Sequence, residues 1–174
     1  MANNELREKI DEMRLYTELV LQLPQVKENG KAGVFVRIYT RESGDLLIGE
    51  SFGSFGDQGF SDQSNSSHEK ARWLYLNQKA VSTTESNGKV GAGGIRGKNH
   101  IIAVSELKSP NYNSALAILL LSCFEHEPNN GSWHLLQEYA KRAGCETELQ
   151  EILEQIQTLP TQSRFKKFFS WFHF

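Results

Sequence analysis

A chain of 174 residues with 39% hydrophobic and 10% aromatic residues can bury a proper core, and it fits one domain with extensions better than two. Its formal net charge of -2 lacks the excess of Lys and Arg that a sequence-nonspecific nucleic-acid binder needs to release phosphate counterions, so nucleic acid is not an expected partner. The N-terminus carries no apolar leader and the longest apolar run, Ala115 to Leu121, falls far short of the roughly 20 residues that span a bilayer; a cytoplasmic chain that is not integral to a membrane is expected.

Leu6, Ile10, Met13, Thr17 and Val20 recur at spacings of 4, 3, 4 and 3, which predicts a helix with one mostly apolar face ending before Pro24. Gly33 to Thr40 alternates as a strand with one wet face does. Turn residues from Glu42 to Asp45 then lead to a second strand, Leu46 to Gly49, and the two predict a hairpin. From Ser51 to Ser67 the chain repeats Ser-Phe-Gly without a sustained helical or strand period. It reads as a loop, either a surface connection or a lid over a ligand site.

Ser66 or Ser67 can cap the next helix, whose broadly apolar run, including Trp73, Leu74 and Leu76, predicts deep burial. Lys89 to Arg96 reads as a strand, Gly97 to Asn99 as a turn, and His100 to Ser105 as its partner. Gly91, Ala92, Gly93 and Gly94 put almost no side chain on that strand, which predicts close approach by a helix, a subunit or a ligand. Pro110 and Asn113 reset the chain before a helix from Ser114 to about Phe124, and the core unit, residues 1–128, ends near Pro128.

Residues 129–174 read as a C-terminal extension. Helices are expected over Ser132 to Ala143 and Glu146 to Leu159, broken at Gly144, either as packing elements or as an oligomer surface. The tail Arg164 to Phe174 concentrates Phe with Trp171, Lys166 and Lys167. Its expected fates are packing on its own domain, burial in a homo-oligomer interface, or peripheral membrane contact.

No nucleophile elbow, zinc-protease motif, phosphate loop or dinucleotide fingerprint is present, and no acid–base pair stands out from solvated pairs such as Glu69 with Arg72. Cys123 and Cys145, both on helical segments, suggest cytosolic thiols and neither a disulfide framework nor a zinc site. Trp73 and Tyr75 can stack on a flat ligand, although aromatics on such a helix usually serve the core. Of five histidines, none paired at helical i, i+4 spacing, His68 and His100 flank the helix and strand around the glycine patch, where an imidazole can ligate a haem iron.

The helix with Glu69-Lys70-Ala71, then Val-Gly-Ala-Gly-Gly-Ile at Val90 to Ile95, the turn at Gly97 and Ile-Ile-Ala-Val-Ser-Glu-Leu at Ile101 to Leu107 resemble the GlcG/HbpS/PduO-type haem-binding-like domain, over about residues 6–123. Arg96 stands where that family usually has proline, and Glu106 where it has glycine. The resemblance implies an α+β, profilin-like antiparallel sheet of about five strands flanked by helices, here with extra C-terminal helices. It also implies an oligomer that binds haem or a related small ligand through Lys70, Gly93, Gly94 and the nearby histidines. The expected function is therefore non-enzymatic small-molecule binding. The competing readings are a protein-interaction or regulatory module without a ligand and, third, an enzyme whose site is assembled from distant side chains.

Overall fold

A computed structural model describes residues 2–27, 32–55, 60–82, 91–105, 107, 109–125 and 130–158. In chain order it has helix α1 (Ala2–Gln22), a short 3-10 turn (Pro24–Val26), strands β1 (Gly33–Thr40) and β2 (Leu46–Gly53), and helix α2 (Phe60–Asn77). Strands β3 (Gly94–Arg96) and β4 (His100–Ser105) follow, then helices α3 (Pro110–Glu125), α4 (Asn130–Ala143) and α5 (Glu146–Gln157). The strands form one antiparallel sheet in the order β2-β1-β4-β3. An isolated bridge between Val81 and Ile95 adds the beginning of a fifth position at the β3 edge. The fold is α+β, a four-stranded antiparallel sheet flanked by helices, consistent with the profilin-like architecture the sequence implied.

The two faces of the sheet carry different layers. Val34, Val36 and Ile38 of β1, Ile95 of β3, and Ile102 and Val104 of β4 join one hydrophobic core with α1, α3, α4 and α5. At its centre is α3, where every residue from Tyr112 to Phe124 is buried, as suits a helix that is apolar all round. The opposite face presents Tyr39, Ile101 and Ala103 to Ala71 and Leu74 of α2. Since both of its faces are covered, β1 is a central strand without the wet face its alternation suggested.

Four boundaries differ from the sequence reading. The expected loop over Ser51 to Ser67 is largely regular structure: Ser51–Gly53 continue β2 against Gly33–Phe35, and α2 already begins at Phe60. Ser67 is thus an interior helix residue, fully buried, and no cap. Glycines hid the alternation in the first case, and Ser, Asp and Asn, weak helix formers, hid the helix in the second. The expected strand from Lys89 narrows to Gly94–Arg96, because Gly93 at φ +111° is outside extended geometry; residues 83–90 lie outside the described part. Pro110 opens α3 rather than preceding it, since a proline in the first helical turn gives up no needed N–H donor. Nor is α2 wholly buried: Tyr75 is 43% and Leu76 65% exposed.

No helix among the described residues is long and apolar enough to cross a membrane. The tail Arg164 to Phe174 lies outside the described residues, and with it the expectation about its attachment.

Candidate functional site

The buried stripe of α2, formed by Ser67, Lys70, Ala71 and Leu74, seats the helix on the sheet. One step around the helix, His68, Arg72 and Tyr75 follow at i, i+4 and i+7, and this flank faces the β1–β2 turn. Between them lies a half-open cleft of about 210 Å³, lined by those three side chains with Ala71, Tyr39 and Ile101 from the sheet and Ser43 and Gly44 from the turn. Gly44 suits that turn because its φ of +72° belongs to the left-handed region; a Cβ there would make only an ordinary contact, 3.5 Å, with the Tyr75 ring.

On the floor of the cleft, Tyr39 Oη and His68 Nδ1 are 3.0 Å apart. Arg37 Nη1 donates to the same Tyr39 oxygen at 3.4 Å. Arg37 can only donate, so the hydroxyl accepts from it; between Tyr39 and His68 Nδ1 either group can be the donor, depending on the imidazole tautomer. Arg72 has neither hydrogen-bond nor ion-pair partner among the described residues, and no carboxylate lines the cleft. The polar groups on offer are a guanidinium, an imidazole and hydroxyls that can donate or accept, those of Tyr39, Tyr75 and Ser43, the last bonded to Thr40 Oγ1 at 2.6 Å. The walls are aromatic and aliphatic.

The five residues selected from the sequence occupy three places. His68 lines the cleft. Lys70 is 5% exposed and donates from Nζ to Val104 O at 2.9 Å, bracing the end of β4. Gly93 meets the same carbonyl: a Cβ there would lie 2.4 Å from Val104 O and 2.7 Å from Asn113 Cβ. Gly94 packs beneath α2, where a Cβ would be 2.7 Å from both Leu74 Cδ1 and Ser82 Oγ. The glycine patch is thus the close approach that its composition predicted, and the groups that approach are α2, α3 and the neighbouring strand. His100 is elsewhere again. It shares the face of Ile102 and Val104, and its Nδ1 is 3.3 Å from Glu125 Oε1 at the end of α3.

Glu125 anchors that corner. Its carboxylate, 1% exposed, accepts from the backbone amides of Lys98 at 2.7 Å and of Asn99 and His100 at 2.6 Å. Burial pushes its pKa up, but the hydrogen bonds from the His100 ring and these amides outweigh burial and hold the carboxyl below its ordinary range. Arg41 closes the β3–β4 turn from the other side, donating to the carbonyls of Gly97 and Lys98 at 3.0 and 3.2 Å.

These positions limit a tetrapyrrole. His68 and His100 lie on opposite faces of the sheet and do not fit as a ligand pair. With Nε2 on an iron, His68 would carry its proton on Nδ1 and donate it to Tyr39 Oη, which can accept from Arg37 as well, but the enclosed volume of about 210 Å³ is small for a tetrapyrrole. Among the described residues no group of three or more His, Cys, Asp or Glu side chains is placed to hold a metal. Sequence reasoning passed over Tyr39, assigned Arg72 to a solvated pair with Glu69, and weighed Tyr75 as a stacking residue before favouring a core role for it. The His-Arg-Tyr spacing on α2 was a usable signal, whereas Tyr39 becomes visible only when β1 is seated against α2. Comparison with protein-family models, curated proteins and solved structures gives no match.

Proposed function

We propose that this chain is a non-enzymatic small-molecule-binding protein whose site is the cleft between the β1–β2 turn and α2. The supporting observation is the convergence of Arg72, which has no hydrogen-bond or ion-pair partner among the described residues, and His68 with the Tyr39 and Tyr75 rings around one small concavity. Apolar walls with a few placed polar groups are the usual anatomy of such a site. A cytosolic, homo-oligomeric protein accompanies this reading.

Ligand-observed and protein-observed NMR with a library of one-ring molecules tests it. Saturable shifts confined to residues around Tyr39, His68, Arg72 and Tyr75 are expected; saturable binding only at other residues, or none at all, overturns the assignment. A hemin titration belongs in the same experiment. A saturable Soret band abolished by His68→Ala but not by His100→Ala would name haem as the ligand.

A second reading has its own observation. Leu46, opposite Tyr39 in the hairpin register, is 52% exposed, Leu47 is 39% exposed, and Tyr75 and Leu76 are exposed at the end of α2. Apolar side chains around a cleft mouth are also what a protein-interaction module presents. Light scattering on the purified chain, with Leu46→Glu and Leu76→Glu variants, separates the two. A mass that falls on these substitutions, with no small-molecule binding in the wild type, supports the interaction module.

A further inference from the structure

We propose that the ligand of the cleft is a planar, one-ring aromatic carboxylate, its carboxylate held by Arg72 and its ring lying against Tyr39 and Tyr75. This rests on the reading of the cleft as a small-molecule site and adds the chemistry of what enters it.

Charge comes first. Arg72 brings a guanidinium that no described residue neutralises, and the lining has no carboxylate that would favour a cation. A guanidinium presents a planar fork of donors matched to a carboxylate. His68 offers a second donor: in the tautomer where Tyr39 donates to its Nδ1, the imidazole carries its proton on Nε2. Ligand groups that themselves donate find only neutral hydroxyl acceptors, those of Ser43, Tyr39 and Tyr75, and no carboxylate among the described lining residues.

Shape comes second. Tyr39, Tyr75 and His68 supply ring surfaces, Ala71 and Ile101 supply aliphatic ones, and inorganic phosphate would leave all of these facing water. The enclosed space of about 210 Å³ matches one ring with a short substituent.

The test is a titration of the full chain, followed by NMR, with three probes of nearly equal shape: 4-hydroxybenzoate, 4-hydroxybenzamide and 4-hydroxybenzylamine. The carboxylate should bind saturably at the cleft and about tenfold more tightly than the neutral amide, the size expected of one charge-assisted contact. The amine should be the weakest. Arg72→Gln should remove that tenfold preference while leaving the melting temperature unchanged, since Arg72 makes no hydrogen bond or ion pair among the described residues. Arg72→Lys should recover only part of it, a point charge replacing a fork. Equal binding of all three probes in the cleft overturns the proposal but leaves the cleft as a binding site. Carboxylate binding that Arg72→Gln does not weaken also overturns it. If no probe shifts any cleft residue the proposal falls, and the broader library then decides whether the cleft binds anything.

Discussion

Gly93 is held at φ +111° with its α-carbon facing Val104 O and Asn113, so any side chain meets both a left-handed backbone and a contact of 2.4 Å. The neighbouring hydrogen bond from Val104 N to Gly93 O, 2.8 Å, fixes the backbone in place. Gly93→Val should cost at least ~2 kcal/mol in chemical denaturation, from strain and displaced packing together, and an unchanged denaturation midpoint would contradict this account. Glu125 acts at the same scale by electrostatics. Because its folded pKa lies below the ordinary carboxyl value, the unfolded chain takes up the proton first. Its contribution is therefore complete above the usual carboxylate range and is lost as the pH falls through the folded value. Glu125→Gln should lower stability at neutral pH by about 1.5–3 kcal/mol, the range for hydrogen bonds to a charged group. The variant should also lose part of the wild type's acid-side slope of stability against pH.

Elements were legible where one period ruled and opaque where tertiary contacts decided. The 4, 3, 4, 3 spacing in α1 places Met13, Thr17 and Val20 on its buried face, and all three are fully buried. The β1–β2 and β3–β4 hairpins, the break at Gly144 with φ +67°, and the apolar α3 were equally readable. The first turns of α2 carried no local signal, and the second buried face of β1 depends on α2 folding over it. Three of the cleft's aromatics were on the page as residues, but the Tyr39–His68 contact spans 29 positions and no spacing rule reports it. Helix α5 was read from Leu149, Ile152, Leu153 and Ile156, each at most 3% exposed in the structure. Ile152→Ala should accordingly destabilise the whole protein by about 2–5 kcal/mol, measured by denaturant unfolding monitored by circular dichroism. A small loss confined to helical signal would mean that α5 is loosely attached.

At the scale of the molecule, the question is whether the C-terminal helices open with the sheet or apart from it. Leu136 and Ala140 of α4 and Ile152 and Ile156 of α5 belong to the same core cluster as Val36 and Ile102 of the sheet. Asn111 Nδ2 donates to Glu148 Oε1 at 3.0 Å, and the hydroxyl of Tyr112 donates to Glu151, tying the start of α3 to α5. The two thiols report on this directly. Cys123 lies within α3, Cys145 at the joint between α4 and α5, and both are buried thiols outside any disulfide. Burial, with smaller effects from Glu148 and Glu146, pushes the Cys145 thiol up to about 12, so it offers almost no thiolate until the joint opens. Labelling with a thiol reagent at mildly alkaline pH, on single-cysteine variants made by Cys→Ala, should give slow reaction at both sites. The two rates should be the same and rise together with denaturant, because continuous packing makes the opening of one the opening of the other. Faster labelling of Cys145 at every denaturant concentration would show instead that α4 and α5 detach while the sheet stays folded. The cleft, built only from β1, β4, α2 and the β1–β2 turn, would then keep its ligand under conditions where Cys145 is already modified.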